Sequence, residues 1–127
     1  MNKYILSFIF LFLCGGCQNA LYDLKGNEYQ LVNSPIRLAF SKNDNRFYGQ
    51  AVNNYFGSYS LTPDNGITFS TVGTTMMMGP VNEMQAEHTY LTDLANVTQY
   101  QINGDLLILT LKNGNSLIFN KIGNVSE

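Results

Sequence analysis

The chain is poor in the residues on which most protein chemistry depends. It has two cysteines and one histidine in 127 residues, and charged side chains make up only 13% of it. Both cysteines, Cys14 and Cys17, fall near the start, so the chain beyond them has no thiol for a disulfide, a thiolate nucleophile or a cysteine metal site. The sole histidine, His88, has no second imidazole to join it, and a zinc site needs three or four ligands. Basic residues after Lys3 are scattered singly, at Lys25, Arg37, Lys42, Arg46, Lys112 and Lys121, against a net charge of -2, which excludes nucleic acid as a partner. There is no Gly-x-Ser-x-Gly elbow, no phosphate loop and no metal-binding carboxylate cluster. No catalytic residue, cofactor or metal is expected, and the chain reads as a non-enzyme.

What is present begins at the N-terminus. Lys3 precedes the apolar run Tyr4 to Leu13, too short to span a bilayer, and Gly15-Gly16 stands before Cys17. This pattern predicts a lipoprotein signal peptide over 1–16, with lipidation at Cys17, because the peptidase cuts after a small residue and Cys14 follows the bulky Leu13. An ordinary secretory signal shares the charged and apolar regions, and Cys14 stands where lipoprotein signals usually carry leucine. Each buried methylene of an acyl chain contributes about 0.8 kcal/mol, so several chains, palmitate among them, hold a protein almost permanently. Gln18, in place of aspartate, points to the outer membrane, with the protein facing the periplasm. The expected division is signal 1–16, tether 17–26, one domain 27–122 and tail 123–127. A single domain of this size buries about two-thirds of the surface its unfolded chain exposes.

Beyond the signal, apolar runs alternate with turn pairs. Asn65-Gly66, Asn103-Gly104 and Asn113-Gly114 each sit between such runs, and both residue types tolerate the positive φ of tight hairpins. Candidate strands are 28–32, 36–41, 46–52, 58–62, 67–72, 99–102, 106–111 and 117–121. Leu106 to Leu111 is apolar almost throughout, which predicts a strand buried on both faces. From Pro80 to Ala95 the strand rhythm stops and apolar residues recur at Met84, Leu91, Leu94 and Ala95, predicting one amphipathic helix. The expected class is α+β, mainly antiparallel β: a single curved sheet or cracked barrel of about eight strands with this helix packed on it.

Two blocks then resemble a known family. Arg46-Phe47-Tyr48-Gly49-Gln50-Ala51-Val52-Asn53-Asn54-Tyr55-Phe56-Gly57-Ser58-Tyr59 is similar to the signature of the META domain, the family of the heat-inducible lipoprotein HslJ. Thr75-Met76 followed by Met84, Glu87, Tyr90-Leu91, Leu94, Val97 and Tyr100 agrees with it in order and spacing, as does Gly104-Asp105-Leu106-Leu107-Ile108-Leu109. The resemblance implies a non-enzymatic envelope lipoprotein linked to stress tolerance or drug resistance through contacts with an envelope protein partner, acting as a monomer. It also implies a cysteine pair where this chain has Ala51-Val52-Asn53 and Met78-Gly79-Pro80. The joint absence predicts that the two segments are close and that packing replaces the bond, which is typically worth about 2 to 4 kcal/mol.

The shared polar residues read as structural. Asn53 is expected to hydrogen-bond the backbone of its bend, between Gly49 and Gly57. Glu87 lies one helical turn from Met84 and from Leu91, so its carboxylate needs a donor such as a strand amide or a hydroxyl. Tyr55, Tyr59, Tyr90 and Tyr100 are expected in the core and its rim. Met76-Met77-Met78 suits Cu(I) chemically, but in an extended segment Met77 points away from its neighbours, so the three sulfurs do not converge. Two readings of the triplet remain, apolar packing beneath the helix or, with Tyr55 and Phe56, a pliable surface for a partner or ligand. A different functional class, a carrier holding a lipid or other small apolar ligand between helix and sheet, predicts a dry cavity there.

Overall fold

A computed structural model describes residues 24–126; the signal segment, Cys17 and most of the tether lie outside the described residues. The strands are β1 (Asn27–Leu31), β2 (Arg37–Phe40), β3 (Arg46–Gln50), β4 (Asn54–Thr62), β5 (Gly66–Phe69) and β6 (Gly73–Thr74), then after the helix α1 (Val81–Ala95) come β7 (Val97–Asn103), β8 (Leu106–Leu111) and β9 (Ser116–Asn124). All pairings are antiparallel, in the order β3-β2-β1-β9-β8-β7-β5-β4, and β3 also pairs with β4. The result is a closed eight-stranded barrel with one helix packed on it. β6 adds a short pairing beside the first half of β4, Tyr55 to Thr74 and Phe56 to Gly73.

The expected turns form where the local chemistry allows them. Asn65 takes φ 60° in the first Asn-Gly pair, whereas in the other two the glycine does so, Gly104 at 63° and Gly114 at 92°. These hairpins set the register that aligns Leu109 with Tyr100 on one side and with Leu117 on the other. Leu107, Leu109 and Leu111 are buried, but Leu106, Ile108 and Thr110 are only half-buried. The expected burial of this strand on both faces is therefore corrected: a barrel wall has an inside and an outside, and period-2 alternation follows.

The ring has one weak junction. β5 and β7 pair at Gly66 and Gln99, with Tyr100 N–H also donating to Asn65 C=O at 3.0 Å, while other neighbours pair along several residues. α1 docks by Glu87, Tyr90 and Leu94, a narrow stripe at helical spacing, with Tyr90 against Tyr55 and Phe119. The expected stripe is thus corrected: Met84 and Leu91 are half-buried and Ala95 is exposed. The helix carries no side-chain cap at Pro80, so docking outweighs local signals in holding it.

Rings fill the interior. Phe40 meets Tyr59 at 5.3 Å and Phe69 meets Phe47 at 5.0 Å, both edge to face, and Tyr90 brings the helix against Tyr55 and Phe119 at 5.5 and 6.3 Å. Strand boundaries shift from those expected, most at the start of β4 and the ends of β5 and β9. β4 starts at Asn54 because its first residues pair with both β3 and β6, and β9 continues to Asn124 because it pairs with Asn27. The tail expected from residue 123 thus begins inside a strand.

Candidate functional site

Gly49 explains why the chain bends where it does. A Cβ there would sit 2.0 Å from Arg37 O and 2.5 Å from the Tyr55 hydroxyl, so only glycine lets β2, β3 and β4 approach this closely. Just beyond it, Ala51 to Asn53 turn the chain into β4, and Asn53 becomes the junction of three segments. Its backbone N–H donates to Glu87 Oε2 at 2.6 Å and its Nδ2 donates to Glu87 Oε1 at 2.9 Å. Its Oδ1 accepts from Thr75 Oγ1 at 3.0 Å and from the Met77 backbone N–H. Thr75 Oγ1 also accepts from Asn54 N–H at 3.1 Å, and Thr75 N–H donates to Asn54 C=O at 3.0 Å.

Glu87 is therefore a tether, and a strand-side amide is its donor as expected. Asn53 departs from expectation in one respect. Its side chain reaches the helix and the 75–77 segment, and the bend is closed instead by its backbone, with Ala51 N–H donating to Asn53 C=O at 2.9 Å. Val52 completes the junction: a Cβ on Gly79 would lie 2.9 Å from Val52 Cγ1. The two segments implied to carry a cysteine pair do meet, and a valine on a glycine takes its place.

The core tyrosines form a second polar element. Tyr55 OH donates to Arg37 C=O, so at its 2.7 Å contact with Tyr90 the Tyr90 hydroxyl must be the donor. Burial pushes the pKa of both phenols well above the ordinary value; for Tyr55 the neighbouring Tyr90 adds to this, whereas for Tyr90 the bond to Tyr55 partly offsets it. Tyr59 is pushed up to about 12 by burial first and by Asp44 and Tyr100 second. Phenols held protonated in this way do not readily give up their proton, so they read as packing groups.

The residues expected to form a surface do not stay together. Alternation along β4 turns Tyr55 into the core and leaves Phe56 outside, 46% exposed opposite Tyr48, so Tyr55 is removed from any surface role. Met76, Met77 and Met78 are 93, 55 and 91% exposed, which corrects the reading that packed them beneath the helix. Their backbone is held by Asn53, and their side chains project from it. Sequence reasoning missed the neighbours that Met78 gains. Met78, Gly79, Val81, Met84, Gln85 and His88 line one open groove of about 580 Å³ on the flank of α1. The four-residue spacing of Met84 and His88 was the available signal. The space between helix and sheet holds Tyr90, Leu94, Tyr55 and Phe119, all buried.

Among the described residues no helix is long and apolar enough to cross a membrane, and no three His, Cys, Asp or Glu side chains gather at one point.

The META domain profile matches residues 18–123. No curated protein matches the chain. Among solved structures, an NMR structure of a protein from Burkholderia xenovorans is 24% identical, with a TM-score of 0.68 over 96% of this chain and 99% of that one. A second NMR structure is 16% identical with a TM-score of 0.61, covering 77% of this chain and 91% of its own. A crystal structure of a DUF4847 family protein from Bacteroides vulgatus ATCC 8482 is 17% identical with a TM-score of 0.53, covering 72% and 61%. At these identities they speak to the fold alone.

Proposed function

Because the chain belongs to the META domain family, we propose that it is a non-enzymatic lipoprotein of the outer membrane, anchored at Cys17 and facing the periplasm, which supports envelope stress tolerance through contact with another envelope protein. The observation that carries this reading is the distribution of apolar matter. The interior is filled by interlocking rings, while Met76 and Met78 stand almost wholly in water on a backbone that Asn53 pins in place. Leaving a methionine exposed forgoes about 1.5 to 3 kcal/mol of burial, which a partner's apolar surface would recover on docking. Unbranched thioether chains adapt to the partner while the rigid backbone positions them. The carrier reading loses support, since the place where a ligand would lie is occupied by Tyr90 and Leu94.

The test is in vivo photo-crosslinking from position 76 or 78, with position 68 on the outer wall as the control, in cells carrying either the native chain or Cys17→Ala. A discrete envelope-protein adduct from 76 and 78, absent from 68 and lost in Cys17→Ala, is the expected result. A Cys17→Ala chain that remains in the membrane fraction with unchanged mass would remove the anchor, and an adduct pattern identical at all three positions would remove the contact surface.

A further inference from the structure

We propose that Met78, Met84 and His88 form a binding site for a soft monovalent cation, Cu(I) or Ag(I). This goes beyond the contact surface above and does not depend on it. Three observations converge. The first is placement: Met84 and His88 are one helical turn apart and so share a face of α1. Met78 lines the same groove from the segment just before the helix, and both methionines and the imidazole open into it. Gly79 shows how close that segment comes, since a Cβ there would lie only 3.7 Å from Met84 Sδ.

The second is distribution. Apart from Met1, every methionine of the chain and its sole histidine lie between positions 76 and 88. A core would draw methionines to several elements, and this one is instead built of aromatic rings and leucine. The third is chemistry. Two thioethers and an imidazole are neutral and soft, a set that suits Cu(I) and gives Mg²⁺, Ca²⁺ or Zn²⁺ no carboxylate or thiolate to hold. None of the three carboxylates on the same helix lines this groove: Glu87 is turned away and engaged by Asn53, while Glu83 and Asp93 line other pockets. The obstacle to a site made of Met76, Met77 and Met78 alone, that adjacent sulfurs diverge, does not apply to donors drawn from a loop and two successive helical turns.

The test is titration of the full-length chain carrying Cys14→Ser and Cys17→Ser, so that no thiol competes, in detergent with Ag(I), and with Cu(I) under competition by a chromophoric chelator, read also by the ¹³C shifts of the methionine methyls. One equivalent is expected, shifting the Met78 and Met84 methyls and the His88 ring. Met84→Leu and His88→Gln are each expected to weaken binding at least tenfold, and Met76→Leu to leave it within twofold. His88 is exposed and Met84 only half-buried, and Leu conserves the bulk of Met, so the fold is retained. Absence of a stoichiometric complex, affinity unchanged in Met84→Leu and His88→Gln, or loss confined to Met76→Leu would each overturn the proposal.

Discussion

Replacing Glu87 by glutamine tests the junction that holds the helix to the barrel. The carboxylate is 7% exposed and accepts two hydrogen bonds from Asn53, one at each oxygen. Glutamine keeps the shape but only one acceptor, and its NH₂ must then face an N–H donor. A charge-assisted bond is worth about 1.5 to 3 kcal/mol, and a buried donor left unsatisfied costs about 1 to 3. The two overlap, because the lost bond and the orphaned donor belong to one contact, so the loss for Glu87→Gln is about 2 to 4 kcal/mol. At a denaturant slope of about 2 kcal/mol/M, the urea midpoint followed by far-UV circular dichroism should fall by about 1 to 2 M. A double-mutant cycle with Asn53→Ala isolates the pair, and the coupling should exceed about 1 kcal/mol. A midpoint within about 0.3 M of the parent, or a coupling near zero, would refute the tether and mean that water already solvates this carboxylate.

Other expectations follow from the buried phenols. Tyr55→Phe should cost more than Tyr90→Phe, by about 1 kcal/mol in thermal denaturation, because Tyr55 OH serves both Arg37 C=O and the Tyr90 hydroxyl, whereas Tyr90 OH serves only Tyr55; equal losses would contradict this donor order. Stability should also fall in alkali. The pKa values of Tyr55, Tyr59 and Tyr90 are raised in the fold, so their contribution is complete below the unfolded value near 10 and is lost as pH rises through the folded values, to about 12 for Tyr59. Urea midpoints at pH 9, 10 and 11, with tyrosinate absorbance at 295 nm, should show a decline beginning near pH 10, and a flat profile to pH 11 would count against burial of these hydroxyls.

What the sequence made legible was mostly local. Asn65-Gly66, Asn103-Gly104 and Asn113-Gly114 carry their own turn geometry, and Pro80 to Ala95 carries its own period. Glu87 was legible as a tether because a carboxylate beside an apolar stripe must find a donor. That the donor is Asn53, 34 residues earlier, is a fact of the closed ring and has no local signal. The start of β4 was missed for the same reason, since Asn54 to Phe56 are strand only through β3 and β6. Tyr55 and Phe56 were grouped by adjacency, although alternation sends neighbours to opposite faces once the strand is known. Hydrophobicity left Met76 to Met78 either packed beneath the helix or on a surface, and the bonds from Met77 and Thr75 to Asn53, which no local signal announces, hold the segment where they emerge.

The single-residue junction between β5 and β7 has a consequence for how the cylinder assembles. β7 begins at Val97, two positions after α1 ends, and α1 is fastened through Glu87 to Asn53, the residue just before β4. Docking the helix therefore carries the last unpaired edge to its neighbour, and the two steps belong to one cooperative event. The helix serves as the clasp of a rolled sheet, and anything that pulls it away unrolls the wall at Gly66 and Gln99 before it disturbs the long ladders of β8 and β9.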